Sequence, residues 1–208
     1  PRAERATRIH AERTFFGVHE VYESMETVKS HTLMHGTTTH GVQTTVEGES
    51  GWPTSYYTLS GPVGQMFTAL LLADDPRLKR TALVGLGAGA ILVYGRPGDR
   101  TTVYEIDPAV VRIAQDPALF TFLPRAEADI DIVLGDGRIG LESAPDGEFG
   151  IIIIDAFSSD SIPLHLLTQE AIAMYFRKLQ PGGMVVFNIS KRYMHLWGVL
   201  ARERGDSG

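Results

Sequence analysis

Val84-Gly85-Leu86-Gly87-Ala88-Gly89-Ala90 is the stretch that decides the fold. It follows the apolar run 81–84, and its glycines allow a sharp turn and a close approach of backbone to a ligand with no Cβ in the way. The expected local structure is a buried strand, a glycine turn and the start of a helix. Outward from it the pattern repeats. Residues 101–104, 131–134, 150–154 and 184–188 are short β-branched and apolar runs without polar alternation, as strands covered on both faces should be. Helical spacing predicts helices over 108–115, 137–142 and 167–179, the last ended by Pro181-Gly182-Gly183. Alternating βα units imply a Rossmann-like, doubly wound α/β fold with a parallel sheet and right-handed crossovers.

The first sixty residues have another texture. Segments 13–24 and 27–45 are rich in Thr, Val, Phe and Tyr and are punctuated by Gly17, Gly36 and Gly41, which predicts short antiparallel strands with tight turns. A helix over 63–72 then leads into the main domain. The expected division is a small N-terminal β-domain over 1–60 and a catalytic-type domain over 61–208. The sheet is expected to stop at five strands, so either the fold is abbreviated or the chain is a piece of something longer.

Composition narrows the function. The 208 residues carry 19 Lys and Arg against 25 Asp and Glu, a net charge of −6, which argues against a nucleic-acid partner. With no cysteine there is no disulfide framework, no thiol nucleophile and no thiolate metal site. The apolar run 149–157 is far shorter than the ~20 residues a bilayer crossing requires, and no signal-like segment follows Pro1. The expectation is a chain without membrane contact, located in the cytoplasm.

The strand ends carry acids. Glu105 closes the second strand, twenty residues after Gly85, where a carboxylate can accept both hydroxyl hydrogens of a ribose. The glycine loop fits a dinucleotide fingerprint with Ala90 in the third glycine's place, and equally the loop of adenosylmethionine-dependent enzymes; it can also be a plain βα turn. Asp107, before Pro108, reads as a helix N-cap. Asp136, in Gly135-Asp136-Gly137, can accept from an adenine amino group or cap a helix. The run Ile151 to Ile154 delivers Asp155 to the same rim, and Asp160 follows in a Ser-rich loop that suggests a lid over a polar or cationic group. Each of these two acids can instead be a turn cap or a solvated loop residue. His35 and His40 lie five apart in a Thr- and Gly-rich turn with no third ligand near in sequence, so hairpin imidazoles facing the cleft or bonding backbone are preferred to a metal site. His165 is a supporting candidate beside the lid.

Taken together, Gly85-Leu86-Gly87-Ala88-Gly89, Glu105-Ile106-Asp107, Gly135-Asp136-Gly137 and the segment from Asp155 to Asp160 resemble the polyamine aminopropyltransferases, the spermidine synthase family. The nearest likeness is to a bacterial branch often fused to membrane-transporter-like segments. It extends to Arg13-Thr14-Phe15-Phe16-Gly17-Val18 and to His35-Gly36-Thr37-Thr38-Thr39-His40-Gly41-Val42-Gln43, and Tyr56-Tyr57 falls where the family places an acceptor-contacting tyrosine. The resemblance implies a class I adenosylmethionine-type fold and a role in polyamine biosynthesis. It implies a donor that is S-adenosylmethionine or its decarboxylated form, with methylthioadenosine as product, and a small-molecule amine as acceptor, with no metal, in a homodimer. Gly85, Gly87, Gly89, Glu105, Asp136 and Gly137 would then hold the donor. Asp155 would be the general base, and Tyr57, Asp160, Gln43 and His40 would face the acceptor. Three departures accompany the likeness: Ala88 stands where the family carries an acid, Trp52-Pro53-Thr54-Ser55 lacks the Asp-Glu pair expected before the tyrosine, and four residues separate Asp155 from Asp160 instead of two.

An amine with a pKa around 10 is protonated at neutral pH, so a carboxylate must take its proton as it attacks the carbon on the sulfonium. The same residues leave other readings open: methyl transfer from adenosylmethionine, intramolecular displacement or elimination on it, or a nucleoside-binding module without turnover.

Overall fold

A computed structural model describes residues 6–24, 28–46, 48, 51–156 and 163–188. The N-terminal part is a four-stranded antiparallel meander in the order β1-β2-β3-β4, with β1 Ala6–Thr14, β2 Gly17–Ser24, β3 Ser30–His35 and β4 Thr38–Thr44. Two-residue turns at Phe15-Phe16 and Gly36-Thr37 set the register, pairing Thr14 with Gly17 and His35 with Thr38. Helix α1, Pro62–Leu72, opens with Pro62 in its first turn, where the missing N–H costs no helical bond.

The main sheet is parallel, in the order β7-β6-β5-β8-β9, formed by β5 Arg80–Val84, β6 Arg100–Glu105, β7 Asp129–Leu134, β8 Phe149–Ile154 and β9 Leu179–Phe187. Helices α2 Pro108–Gln115, α3 Gly137–Ser143 and α4 Gln169–Lys178 supply the crossovers, with a helix layer on each face. The alternation along β8 shows both faces at work. Ile151 and Ile153 join Leu83, Val103, Ile113 and Phe120 on one side, while Ile152 and Ile154 join Val84, Tyr104, Leu141 and Tyr175 on the other. Each of these four isoleucines is essentially inaccessible to solvent, and such burial is worth about 1.5–3 kcal/mol per side chain.

The strand set and the helices agree with the sequence expectation to within a few residues, apart from two places. After the glycine loop the chain makes a five-residue 3-10 helix, Ala90–Tyr94, and not an α-helix, with Gly89 at φ 85° as its cap. Ile91, Leu92 and Tyr94 are all buried there, so the run after the glycine turn is packed on every side and has no solvent-facing side of the kind an amphipathic helix keeps. Strand β9 also begins sooner than expected, at Leu179 and not at Met184. Leu179 already pairs with Phe149, and Pro181-Gly182-Gly183 forms an irregularity inside β9 before Met184 pairs with Ile151.

The two sheets share one apolar cluster, since Val21 and Leu33 of the meander pack into the core that holds Leu83 and Phe120. Polar contacts reinforce the join: the Arg112 guanidinium donates to Glu12, and the His31 Nδ1 lies 2.7 Å from the Leu119 carbonyl oxygen. No helix among the described residues is long and apolar enough to cross a membrane.

Candidate active site

Parallel strands deliver their carboxyl ends to one rim, and here five of them do so around a cavity of about 1320 Å³. Gly85 follows β5, Glu105 ends β6, Asp136 follows β7, Asp155 follows β8 and Asn188 follows β9; all five line that cavity. The glycine loop is as close-packed as its sequence suggests. A Cβ on Gly85 (φ 93°) would come within 2.6 Å of the Asp155 carbonyl oxygen, and one on Gly87 (φ 53°) within 2.5 Å of the His40 carbonyl oxygen.

Glu105 is only 7% exposed and fixes the loop: its two carboxylate oxygens accept from the backbone N–H of Leu86 (2.8 Å) and of Asp107 (2.9 Å). Burial pushes this carboxyl above the usual range, while those two N–H groups hold it back. Each oxygen keeps a second lone pair, so the side chain can still accept from a vicinal diol.

Asp155 is half-buried in the cavity wall. Its Oδ2 accepts from the Tyr57 hydroxyl and its Oδ1 from the Asn188 amide nitrogen at 2.6 Å. Desolvation pushes its carboxyl up to about 6, against the two hydrogen bonds, with the Glu105 charge adding to the rise. A base with that pKa is ionised at neutral pH yet holds a proton far better than an exposed aspartate. Tyr57 is itself fixed, because the Tyr94 hydroxyl donates to its carbonyl oxygen and Tyr94 stacks on Phe67.

Of the two roles the sequence left open for it, Asp136 takes the cap. Its Oδ1 caps α3, accepting from the N–H of Arg138 and Ile139, while Oδ2 faces His165 Nε2 at 3.0 Å. Gly137, buried, starts α3 on the cavity wall. Asp107 caps α2 as expected, its Oδ1 accepting from Ala109 N at 2.9 Å. It does more besides: Oδ2 accepts from the Thr14 hydroxyl (2.6 Å) and from His19 Nε2 (2.7 Å), tying the meander to the main sheet. Burial acts to raise this carboxyl, and the bonds from Thr14, Ala109 and His19 outweigh it and hold it below the usual range.

The expected site residues therefore divide. Gly85, Gly87, Glu105, Asp136, Gly137, Asp155, Tyr57 and His40 share one cavity. Gly89 begins the 3-10 turn behind the loop and does not line that cavity. Gln43 does not reach it: its amide nitrogen donates to the Thr121 hydroxyl and its oxygen accepts from Thr121 N, which anchors β4 to the main domain. Asp160 lies outside the described residues. His35 and His40 face the cavity with their rings 5.6 Å apart, joined by His19, 4.7 Å from His35. Among the described residues no group of three His, Cys, Asp or Glu side chains is arranged to hold a metal ion. Asn188 was not anticipated, although it carries the same signal as Asp155, a polar residue at the end of a buried strand.

No protein-family model matches the chain. A polyamine aminopropyltransferase from Vibrio vulnificus is 32% identical over 132 residues, covering 60% of this chain and 43% of the relative. A probable polyamine aminopropyl transferase from Bifidobacterium longum is 26% identical over 175 residues, 81% of this chain and 35% of that protein. Among solved structures, a probable spermidine synthase from Corynebacterium glutamicum superposes with a TM-score of 0.65 at 23% identity, over 88% of this chain and 63% of that one. The shared fold is that of the spermidine synthases. The match spans less than half the length of these curated relatives.

Proposed function

We propose that this chain carries the donor site and the general base of an aminopropyltransferase-like enzyme. Its donor is adenosylmethionine or the decarboxylated form, and its acceptor is a small amine. The observation that carries this reading is the fixing of both Asp155 carboxylate oxygens by Tyr57 and Asn188, with the carboxyl's pKa raised, in the same cavity as Glu105 and Asp136. Glu105 would accept from the ribose hydroxyls, and the Oδ2 of Asp136 from the adenine amino group in place of His165. The similarity in sequence to polyamine aminopropyltransferases supports the same assignment.

In the proposed reaction the amine nitrogen bonds to the carbon attached to the sulfonium. The C–S bond breaks with its electron pair moving to sulfur, which leaves as methylthioadenosine, and the proton displaced from the amine goes to Asp155. The sulfonium is its own activated leaving group. What the protein adds is a base of suitable pKa and in-line placement, and placement alone can lower such a barrier by several kcal/mol.

The test is product analysis by chromatography after incubation with each donor, with and without a panel of diamines and monoamines. Methylthioadenosine formed only when an amine is present supports the reading. S-adenosylhomocysteine as product would show methyl transfer, and methylthioadenosine formed without amine would show intramolecular displacement; either result overturns it.

A further inference from the structure

One corner of the cavity sets a carboxylate beside an imidazole. Asp136 follows β7 as the cap of α3, and His165 lies in the 3-10 turn Leu164–Leu166 that leads toward α4; both line the cavity. The His165 Nε2 is 3.0 Å from Asp136 Oδ2, while Oδ1 is committed to the N–H groups of Arg138 and Ile139. An ionised carboxylate only accepts, so the imidazole nitrogen that faces it carries a hydrogen. The corner therefore presents an acceptor and a donor side by side.

The backbone behind this pair is held from both helices. Arg138 Nη1 donates to the His165 carbonyl oxygen (2.9 Å) and to the hydroxyl of Thr168 (3.3 Å), the cap of α4. Leu166, 2% exposed, accepts at its carbonyl oxygen from the Tyr175 hydroxyl (3.0 Å), and its N–H donates to the Pro163 carbonyl oxygen (2.9 Å). These bonds fix the Cα of His165 against α3 and α4. The imidazole itself is 47% exposed, so it can rotate about its side-chain torsions while the turn stays in place. A group that takes Asp136 Oδ2 from it leaves the imidazole N–H close by and in need of a new acceptor.

Adenine offers one. Its exocyclic amino group donates, and the ring nitrogens N1 and N7, on either side of that group, accept. An acceptor next to a donor is the complement of such an edge, the arrangement by which an Asn or Gln amide reads the amino group and N7 of adenine in DNA. We propose that His165 is a base-reading residue: the adenine amino group takes Asp136 Oδ2, and the freed Nε2–H turns to the ring nitrogen next to that amino group. The two side chains together then select the adenine of the donor. This rests on the adenosine site of the proposed function.

Calorimetric titration of the whole chain and of its His165→Phe variant with methylthioadenosine and its 1-deaza and 7-deaza analogues tests it. Each analogue replaces one acceptor nitrogen by C–H, and the variant keeps a flat ring without an N–H. The wild-type chain is expected to bind one of the two analogues about tenfold more weakly than methylthioadenosine, and the variant to bind that same analogue and methylthioadenosine within about twofold of each other. Because each ratio compares two ligands on one protein, the His165–Asp136 contact of the free state cancels from it. His165→Ala should abolish the same discrimination. Discrimination against each analogue that is the same in wild type and variants, with methylthioadenosine bound by all, would overturn the inference and leave the adenosine site standing. Failure of methylthioadenosine to bind the wild-type chain would remove the adenosine site, and the inference with it.

Discussion

Replacing Asp155 with asparagine should make the protein more stable and far less active. In the folded chain burial lifts this carboxyl from the ordinary 3.8 to about 6. The folded state thus holds the proton more tightly than the unfolded chain does. As pH rises from about 4 to about 6 the unfolded chain releases its proton first, and folded stability falls through that window. Two units at 1.36 kcal/mol each make the loss about 3 kcal/mol, complete above about pH 6. D155N has no such charge to bury. Its new amide must still meet two donors, the Tyr57 hydroxyl and the Asn188 amide, and a flip of Asn188 lets both contacts re-form at some cost. The expected net gain is therefore about 1–3 kcal/mol at about pH 8, shrinking to nothing below about pH 4. Loss of the proposed general base should meanwhile cut turnover about 10²–10⁴-fold. Urea unfolding of both proteins across this pH range, alongside methylthioadenosine release, measures both effects. A variant less stable than wild type at about pH 8, or one retaining turnover within about tenfold, would refute the reasoning.

Other outcomes follow from the same geometry. The base limb of the pH–rate profile should fall about tenfold per unit below about pH 6, the range in which Asp155 takes up its proton; a flat profile down to about pH 4.5 would contradict this. Tyr57→Phe removes a hydrogen bond that lowers the Asp155 pKa, so the inflection should move to higher pH, and a shift the other way would count against the contact. Glu105→Gln sets an amide NH₂ against the N–H of Leu86 or Asp107, and should weaken methylthioadenosine binding about 10–100-fold while costing about 1–3 kcal/mol of stability. Asp107→Ala strips Thr14, His19 and the α2 cap of their acceptor at once; a loss of about 3 kcal/mol in chemical unfolding is expected, and a change under about 0.5 would show that the bridge is not structural.

The parallel sheet could be read from the chain because β8 is buried on both faces and written in unbroken apolar residues, and β5 and β6 carry shorter buried apolar and β-branched stretches beside it. Helix α2 was equally legible, since Asp107 and Pro108 form a capping signal that depends on neighbours alone. The 3-10 turn after Gly89 was not, because a short apolar run surrounded by core has no exposed face to give it a period. Within the site, the strand-end acids were found by their place at the end of buried runs. Gln43 was misplaced because a polar residue in a β-hairpin can turn to either sheet face, and only tertiary packing sets its amide on Thr121. The His19–Asp107 bridge joins residues 88 apart in sequence, and no local pattern encodes such a pairing.

The central claim is that the carboxyl ends of the parallel strands hold one sulfur-bearing adenosine with Asp155 aimed at the carbon under attack. A crystal structure with methylthioadenosine bound tests it most directly. The account predicts ribose hydroxyls on Glu105, the adenine amino group on Asp136 in place of His165, and the thioether turned toward Asp155. Adenosine seated elsewhere, or seated here with its sulfur directed away from Asp155, would contradict it.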